Sequence, residues 1–161
     1  MLETLESRRL LSFTVAGETL TVTGTANPDQ ILIRKDGANL TIVQNGVNST
    51  TPAAPLTKIV VNGLGGNDRL ALAVGATNGI TLPSTLNGGD GNDELLGGDG
   101  NDVLSGGNGN DNMNGGPKGK DVFNGGAGRD RVSYGGRTQA LTLTIDNIAN
   151  DGAPAVGSTP G

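Results

Sequence analysis

The chain has 161 residues, of which 29 are glycine, while aromatic residues make up 2% and neither cysteine nor histidine occurs. The absence of cysteine and histidine excludes disulfide scaffolds, thiolate or imidazole metal sites and catalytic triads that depend on histidine. A net charge of −5 argues against nucleic acid or an anionic membrane as a partner, and no segment is long and apolar enough to span a membrane.

The first half of the chain has the pattern of short strands separated by turns. Residues 1–17 are predicted to be a leader-like or disordered start. Residues 18–75 alternate apolar and polar side chains in short runs, and Asp36-Gly37 is a favourable hairpin turn. No segment has a helical period, so we predict an all-β chain. The expected strands are 19–23, 30–34, 40–43, 58–61 and 70–74, with 49–55 as a loop.

Residues 76–133 contain a tandem repeat of nine residues with the pattern G-G-x-G-x-D-x-U-x, in which U is apolar. Three units follow one another directly from Gly88, a fourth carries one extra residue around Pro117-Lys118, and a fifth returns to nine. All of the excess negative charge lies between Gly88 and Asp130, where eight acidic residues occur with three basic ones. The U position stays apolar in all five units: Leu95, Leu104, Met113, Phe123 and Val132.

Each position of the pattern has a physical role. The glycines allow a tight loop that turns backbone carbonyls toward one point, and carbonyl and carboxylate oxygens suit a hard cation such as Ca²⁺. The x-U-x triplet is a minimal strand with one inward apolar side chain. Nine residues make half a coil, so loops two units apart stack at about 4.8 Å, which brings Asp93 near Asp111, Asp102 near Asp121, and Asp111 near Asp130. Stacked carboxylates repel one another, so we expect the array to fold only with a cation.

Three other interpretations of the repeat are weaker. A flexible linker rich in Gly, Asn and Asp needs no fixed register, whereas the U position here is always apolar. An EF-hand requires a Gly and a terminal Glu that are not at the right spacing after Asp90 or Asp99. A phosphate loop at 115–120 would need a different glycine spacing and a Ser or Thr in place of Asp121.

The array resembles the nonapeptide calcium-binding repeats of the RTX, or haemolysin-type, family. The resemblance implies a right-handed parallel β-roll, or β-solenoid, built on these repeats and preceded here by short strands and hairpins. In the family, Ca²⁺ lies between loops two repeats apart, and the protein is secreted and folds outside the cell. Pro117-Lys118 departs from the pattern beside the Asp102–Asp121 pair. The ligands implied in this chain are Asp93, Asp102, Asp111, Asp121 and Asp130, with Gly89, Gly91, Gly98, Gly100, Gly107 and Gly109.

Weaker echoes of the repeat lie upstream. The segment 63–70 (GLGGNDRL) keeps three loop glycines, the aspartate and the apolar residue, so Asp68 is added to the predicted metal ligands. The segment 24–31 (GTANPDQI) keeps only the first glycine, Asp29 and Ile31. We interpret both as degenerate turns of the same coil, and the alternative is an ordinary turn between strands.

The two ends of the chain carry further signals. The residues LESRRLLS are similar to the LEPR-type leader of bacterial surface and secreted proteins, with Ser7 where that motif has Pro. Residues 134–161 are predicted to form one strand, at 141–145, and a polar tail. A coil without a polar cap needs a neighbour, which leaves self-association through an uncapped end of the roll open.

The predicted function is calcium binding by a non-catalytic module of a secreted or cell-surface bacterial protein. Catalysis is not expected, because neither H-E-x-x-H nor G-x-S-x-G occurs. The alternatives are an adhesion or ice-binding surface, or the accessory repeat region of a larger secreted protein. The outward strand positions of the repeats lack ranks of threonine, which disfavours ice binding.

Overall fold

In the computed structural model, the described residues are 12–133, together with the backbone of 142–144. Within this part of the chain every regular element is a strand and no helix occurs, so the all-β prediction is confirmed. No helix in the described residues could therefore cross a membrane. The strands are β1 (Ser12–Ala16), β2 (Thr19–Thr23), β3 (Gln30–Asp36), β4 (Asn39–Gln44), β5 (Val47–Pro52), β6 (Lys58–Gly65), β7 (Arg69–Leu72), β8 (Ser84–Asp90), β9 (Glu94–Leu96), β10 (Asp102–Asn108), β11 (Asn112–Asn114), β12 (Val122–Ala127), β13 (Arg131–Ser133) and β14 (Thr142–Thr144).

The strands form two mixed sheets. The first sheet has the order β1-β2-β6-β8-β10-β12-β14, and the second has the order β13-β11-β9-β7-β3-β4-β5. From β6 to β14, successive strands alternate between the two sheets. From β8 onward, each strand pairs in parallel with the strand two positions before it, while β6 pairs in parallel with β2 and β7 with β3. The antiparallel pairs are β1 with β2, β3 with β4 and β4 with β5.

The hydrophobic core lies between the two sheets and is a single cluster. Inward side chains of paired parallel strands fall in register, which stacks one apolar residue of each coil on the next. The repeat residues Leu95, Leu104 and Met113 are completely buried, and Phe123 is 1% exposed. The stacks continue upstream of the repeats, and their members are Val22, Val61, Leu86, Leu104 and Phe123 in the first sheet and Ile31, Leu70, Leu95, Met113 and Val132 in the second.

The structure differs from the sequence prediction in the first part of the chain. Ser12–Ala16, within the predicted leader-like or disordered start, forms β1. Residues 49–55 were expected to be a loop, but most of them belong to β5, Val47–Pro52. This strand pairs with β4 across the Asn45-Gly46 turn, so backbone hydrogen bonding overrides the weak strand preference of Asn, Ser and Pro. The leader-like residues before Ser12 lie outside the described residues, as does most of 134–161.

Candidate metal centre

The loops between the two sheets form two separate edges. The first edge consists of the loops that lead from the first sheet to the second, at residues 24–29, 66–68, 91–93, 109–111 and 128–130. The second edge consists of the loops that return to the first sheet, among them 73–83, 97–101 and 115–121. Because each repeat is half a coil, repeats alternate between the edges, and their aspartates do so as well.

A column of aspartates runs along the first edge. The backbone N–H of Asp68 donates to Oδ1 of Asp93 at 2.8 Å, that of Asp93 to Oδ1 of Asp111 at 2.8 Å, and that of Asp111 to Oδ1 of Asp130 at 2.9 Å. The column starts one coil earlier, where the N–H of Asp29 donates to Oδ1 of Asp68 at 2.8 Å. The expected neighbours Asp93 and Asp111, and Asp111 and Asp130, are therefore brought together, and the upstream turns belong to the same stack.

One oxygen of each of four carboxylates in this column lacks a partner. Among the described residues, Oδ2 of Asp68, Asp93, Asp111 and Asp130 is buried and accepts no hydrogen bond. A buried acceptor without a donor is costly, and its repetition at equivalent positions indicates a ligand of positive charge. Backbone carbonyls lie close by: a Cβ built on Gly88 would contact Oδ2 of Asp93 and, at 2.6 Å, the carbonyl oxygen of Gly106.

This arrangement recurs along the edge. The same contacts would be made by a Cβ on Gly63, with Oδ2 of Asp68 and the Gly88 carbonyl, and by a Cβ on Gly106, with Oδ2 of Asp111 and the Gly125 carbonyl. A glycine is thus required at positions 63, 88 and 106 because carboxylate and carbonyl oxygens occupy the space of a side chain. An open groove of about 450 Å³, lined in part by Asp68 and Asp93, runs beside the column, so solvent reaches this edge.

The glycines at the second and fourth positions of the first-edge units, which are predicted carbonyl ligands, are also stacked. A Cβ on Gly107 would meet the carbonyl oxygen of Gly89, and a Cβ on Gly109 would meet that of Gly91. All four are in the left-handed region, for example Gly91 at φ 128°, where a Cβ is strained. The asparagines before Asp68, Asp93 and Asp111 each accept a backbone N–H from the next coil; for example, the Asn110 N–H donates to Oδ1 of Asn92 at 2.7 Å.

The stacking disfavours the charged form of these carboxyl groups. Burial raises the pKa of Asp68 to about 6, and the charges of Asp93 and Asp29 add to this effect, although the N–H of Asp29 opposes it. Burial likewise raises the pKa of Asp111 to about 6, with further contributions from the charges of Asp93 and Asp130. The pKa of Asp93 is raised by its burial as well. At neutral pH Asp68 and Asp111 are therefore buried anions, and no basic side chain of the described residues is paired with them.

Asp29, at the start of the column, differs from the four that follow. Its Oδ2 accepts hydrogen bonds from the Thr25 N–H at 2.6 Å and from the Thr25 hydroxyl at 2.9 Å, and its Oδ1 accepts one from the Asn45 side-chain amide. Protein donors thus satisfy both oxygens. We call such a loop closed, because the backbone N–H of the residue four positions earlier donates to Oδ2 of the aspartate. We call a loop open where Oδ2 has no hydrogen-bond partner, and the open loops start at Asp68.

The second edge also pairs its predicted aspartates, but its loops are built differently. The N–H of Asp102 donates to Oδ1 of Asp121 at 2.9 Å, so the extra residue at Pro117-Lys118 does not break their stacking. However, Oδ2 of Asp102 accepts the Gly98 N–H at 2.7 Å, and its Oδ1 accepts the N–H and hydroxyl of Ser84 at 3.1 and 2.6 Å. Burial still raises the pKa of Asp102 to about 6.

The glycines of the 97–101 loop do not share the first-edge conformation. Gly98 and Gly100, both predicted ligands, are not among the glycines with positive φ, so their carbonyls are oriented differently from those of Gly89 and Gly91. A Cβ on Gly98 would lie 2.5 Å from the carbonyl oxygen of Ile80. Because the Gly98 N–H donates to its Oδ2, Asp102 has the same closed arrangement as Asp29.

Three features of the site are not indicated by the nonapeptide pattern. The first glycine of each unit was treated as a turn residue, although its carbonyl and missing side chain adjoin Oδ2. Asp29 was noted only as a weak echo, because its loop keeps one glycine. Asp99, at a variable position of its repeat, has a buried side chain, and nothing in the nonapeptide pattern indicates this burial.

The donor set of the first edge fits a hard divalent cation. No group of three or more acidic side chains within the described part of the chain is close enough to hold a metal by itself. Ligation would therefore combine one or two carboxylates with backbone carbonyls, an all-oxygen set that Ca²⁺ accepts with six to eight ligands. The unpartnered Oδ2 atoms and the carbonyls beside them supply this chemistry.

Comparison with known families agrees with this geometry. The family model of the RTX calcium-binding nonapeptide repeat matches four copies, at residues 85–117 and 118–136. The chain carries RTX calcium-binding repeats. RTX nonapeptide repeats bind Ca²⁺. No curated protein and no solved structure matches the chain.

Proposed function

We propose that the chain is a non-catalytic calcium-binding module whose ions bind along the first edge and hold its coils together. The observation that carries the proposal is the row of four buried Oδ2 atoms without hydrogen-bond partners. In each of these aspartates Oδ1 already accepts a hydrogen bond from the backbone N–H of the preceding aspartate in the column. For Asp68 that donor is Asp29, which is not one of the four. The carboxylates are thus oriented in advance, with one oxygen of each available to a cation.

The proposed ligands extend upstream of the residues that the family model matches. Asp68, Asp93, Asp111 and Asp130 provide the carboxylates, and the loop glycines Gly89, Gly91, Gly107 and Gly109 provide carbonyls. We include Asp68 because its Oδ2 has the same environment as that of Asp93. Asp102, Asp121, Gly98 and Gly100 stay predictions, with less support because both oxygens of Asp102 already accept hydrogen bonds.

We further propose that the stack from β6 to β13 is a right-handed parallel β-roll. Its support is the strict alternation of strands between two sheets with parallel pairing, because crossover connections between parallel strands are almost always right-handed. β1, β4 and β5 are additions at the upstream end, where they pair in antiparallel fashion.

Calcium is proposed to drive folding of this roll. Each repeat contributes one large buried side chain, so the hydrophobic core is small, and the buried anions of the column oppose folding. A cation that binds only the folded loops contributes its binding free energy to folding. Such a module would stay unfolded at low calcium concentration and fold outside the cell, which suits a secreted or surface protein.

The test is a calcium titration of the full chain followed by calorimetry and far-UV circular dichroism. We expect several calcium ions per chain and a large gain of strand signal on binding, with little effect of Mg²⁺ at the same concentration because Mg²⁺ requires a smaller, octahedral site. A chain that binds no calcium, or that has the same strand signal in chelator, would contradict the proposal. Sedimentation of the calcium-bound protein would report whether the module self-associates.

A further inference from the structure

The second edge contains a buried carboxylate that does not belong to its aspartate column. Asp99 lies in the 97–101 loop, and its side chain is 2% exposed. Oδ1 of Asp99 has no hydrogen-bond partner, and Oδ2 accepts the Gly75 N–H at the long distance of 3.4 Å. Such a carboxylate needs a positive charge nearby, because burial of an uncompensated anion is strongly unfavourable.

That positive charge comes from the inserted residue of the fourth repeat. Nζ of Lys118 lies 2.9 Å from Oδ2 of Asp99. The ammonium is thus paired with the buried carboxylate, while the side chain of Lys118 is 58% exposed. The pair joins two successive coils of the second edge, since Asp99 and Lys118 are 19 residues apart in sequence.

The insertion brings the lysine there without disturbing the stack. A Cβ on Gly116 would meet the carbonyl oxygen of Gly98, and a Cβ on Gly119 would meet that of Gly100. Both ends of the loop therefore stay in the register of the coil before it. Between these glycines a regular unit has one residue, Asp99 in the second repeat, whereas the fourth repeat has two, Pro117 and Lys118. The additional residue is what allows the loop to present a lysine to Asp99.

The other aspartate of this loop, Asp102, requires no added cation. Both oxygens of Asp102 accept hydrogen bonds from Ser84 and Gly98, and the glycines of its loop lack the left-handed conformation of the first edge. We propose that the ammonium of Lys118 is the built-in counter-cation of this edge, in the role that Ca²⁺ has on the first edge. The inference rests on the proposed function, and it makes the module asymmetric: the 97–102 loop of the second edge is neutralised by a lysine, whereas the first edge is neutralised by calcium.

The test compares Lys118→Gln with the matched control Lys120→Gln in the full chain. Lys120 is exposed in the same loop, so its substitution removes an equal charge two residues away. We measure calcium stoichiometry by calorimetry and the midpoint of thermal unfolding in chelator and in millimolar calcium. We expect Lys118→Gln to bind one calcium more than the natural chain and to show a larger calcium-induced rise of the midpoint, because the ion replaces the ammonium at Asp99.

A second variant separates ion replacement from general destabilisation. Asp99→Asn combined with Lys118→Gln removes both charges, so the additional calcium ion should disappear, and Lys120→Gln should behave as the natural chain. An unchanged stoichiometry in Lys118→Gln, or a loss of stability that is equal with and without calcium, would overturn the inference in favour of an ordinary ion pair. Failure of Lys118→Gln to fold even in calcium would also overturn it. Absence of calcium binding to the natural chain would instead contradict the proposed function.

Discussion

Acidification should strengthen the calcium-free fold and weaken calcium binding. In the calcium-free folded state, burial raises the pKa of Asp68 and Asp111 from 3.8 to about 6. Below pH of about 4 these groups are protonated in the folded and the unfolded chain alike. As the pH rises from about 4 to about 6, the unfolded chain loses the protons first, so the free energy of unfolding falls, and above about 6 the whole penalty is present.

The magnitude of this penalty is comparable with the total stability of a small domain. A pKa raised from 3.8 to about 6 corresponds to about 3 kcal/mol for each carboxylate at neutral pH. Asp68 and Asp111 together therefore cost on the order of 6 kcal/mol, and Asp93 adds to this because its pKa is raised too. Domains have total unfolding free energies of about 5–15 kcal/mol. The column therefore strongly opposes folding of the calcium-free chain at neutral pH.

The assay follows the far-UV strand signal of calcium-stripped protein between about pH 7.5 and pH 5, with a parallel series in millimolar calcium. In chelator we expect the strand signal and the unfolding midpoint to rise as the pH falls. In calcium we expect the apparent affinity to fall over the same range, because protons compete with the ion for the carboxylates. A calcium-free strand signal that stays constant or decreases on acidification would refute the electrostatic account.

Three substitutions test the site and the core further. Asp111→Asn keeps the acceptor for the Asp93 N–H but removes the charge, so it should stabilise the calcium-free chain by up to about 3 kcal/mol and lower calcium stoichiometry. The control Asp90→Asn removes an exposed charge that makes a smaller contribution to the raised pKa of Asp93, so in the same titrations it should keep the stoichiometry and stabilise the calcium-free chain much less. Gly106→Ala places a Cβ 2.5 Å from the Gly125 carbonyl oxygen, so it should lower the free energy of unfolding by about 1–3 kcal/mol and weaken calcium binding. The control Gly65→Ala, whose Cβ would lie 3.7 Å from its nearest neighbour, should be nearly neutral in thermal unfolding with calcium. Met113→Ala empties a completely buried position and should cost about 2–5 kcal/mol in calcium, unlike Val103→Ala, where the side chain is 39% exposed.

The repeat predicted the local structure well because its pattern constrains every position. The triplets around Leu95, Met113 and Val132 are the strands β9, β11 and β13, and the nine-residue period fixes which loops stack. The upstream strands were less well predicted at β1 and β5. Asn48, Ser49 and Pro52 of β5 have little strand preference, and both strands depend on antiparallel pairing with a neighbouring strand. A pattern of hydrophobicity cannot report that pairing.

The nine-residue period predicts which residues of the site are neighbours, but not which hydrogen bonds each loop makes. The period places Asp93 beside Asp111 and Asp102 beside Asp121, and the structure has both contacts. It does not distinguish an open loop from a closed one, because that depends on whether the N–H four residues earlier turns toward the aspartate. Gly98 donates to Asp102 in this way, although its unit has the same glycines as the unit that precedes it.

The difference between open and closed loops follows from what each loop stacks on. Asp93 stacks between two loops that each carry an aspartate, Asp68 and Asp111, so at neutral pH a bound cation is needed to relieve the repulsion within its column. Asp102 stacks on Ser84, whose N–H and hydroxyl are donors, and the loop can close around a satisfied carboxylate. Substituting Ser84 with Asp would restore an acidic neighbour, and by the same reasoning it should make the second edge dependent on calcium. A calcium titration of Ser84→Asp that shows the stoichiometry and chelator sensitivity of the natural chain would contradict this explanation.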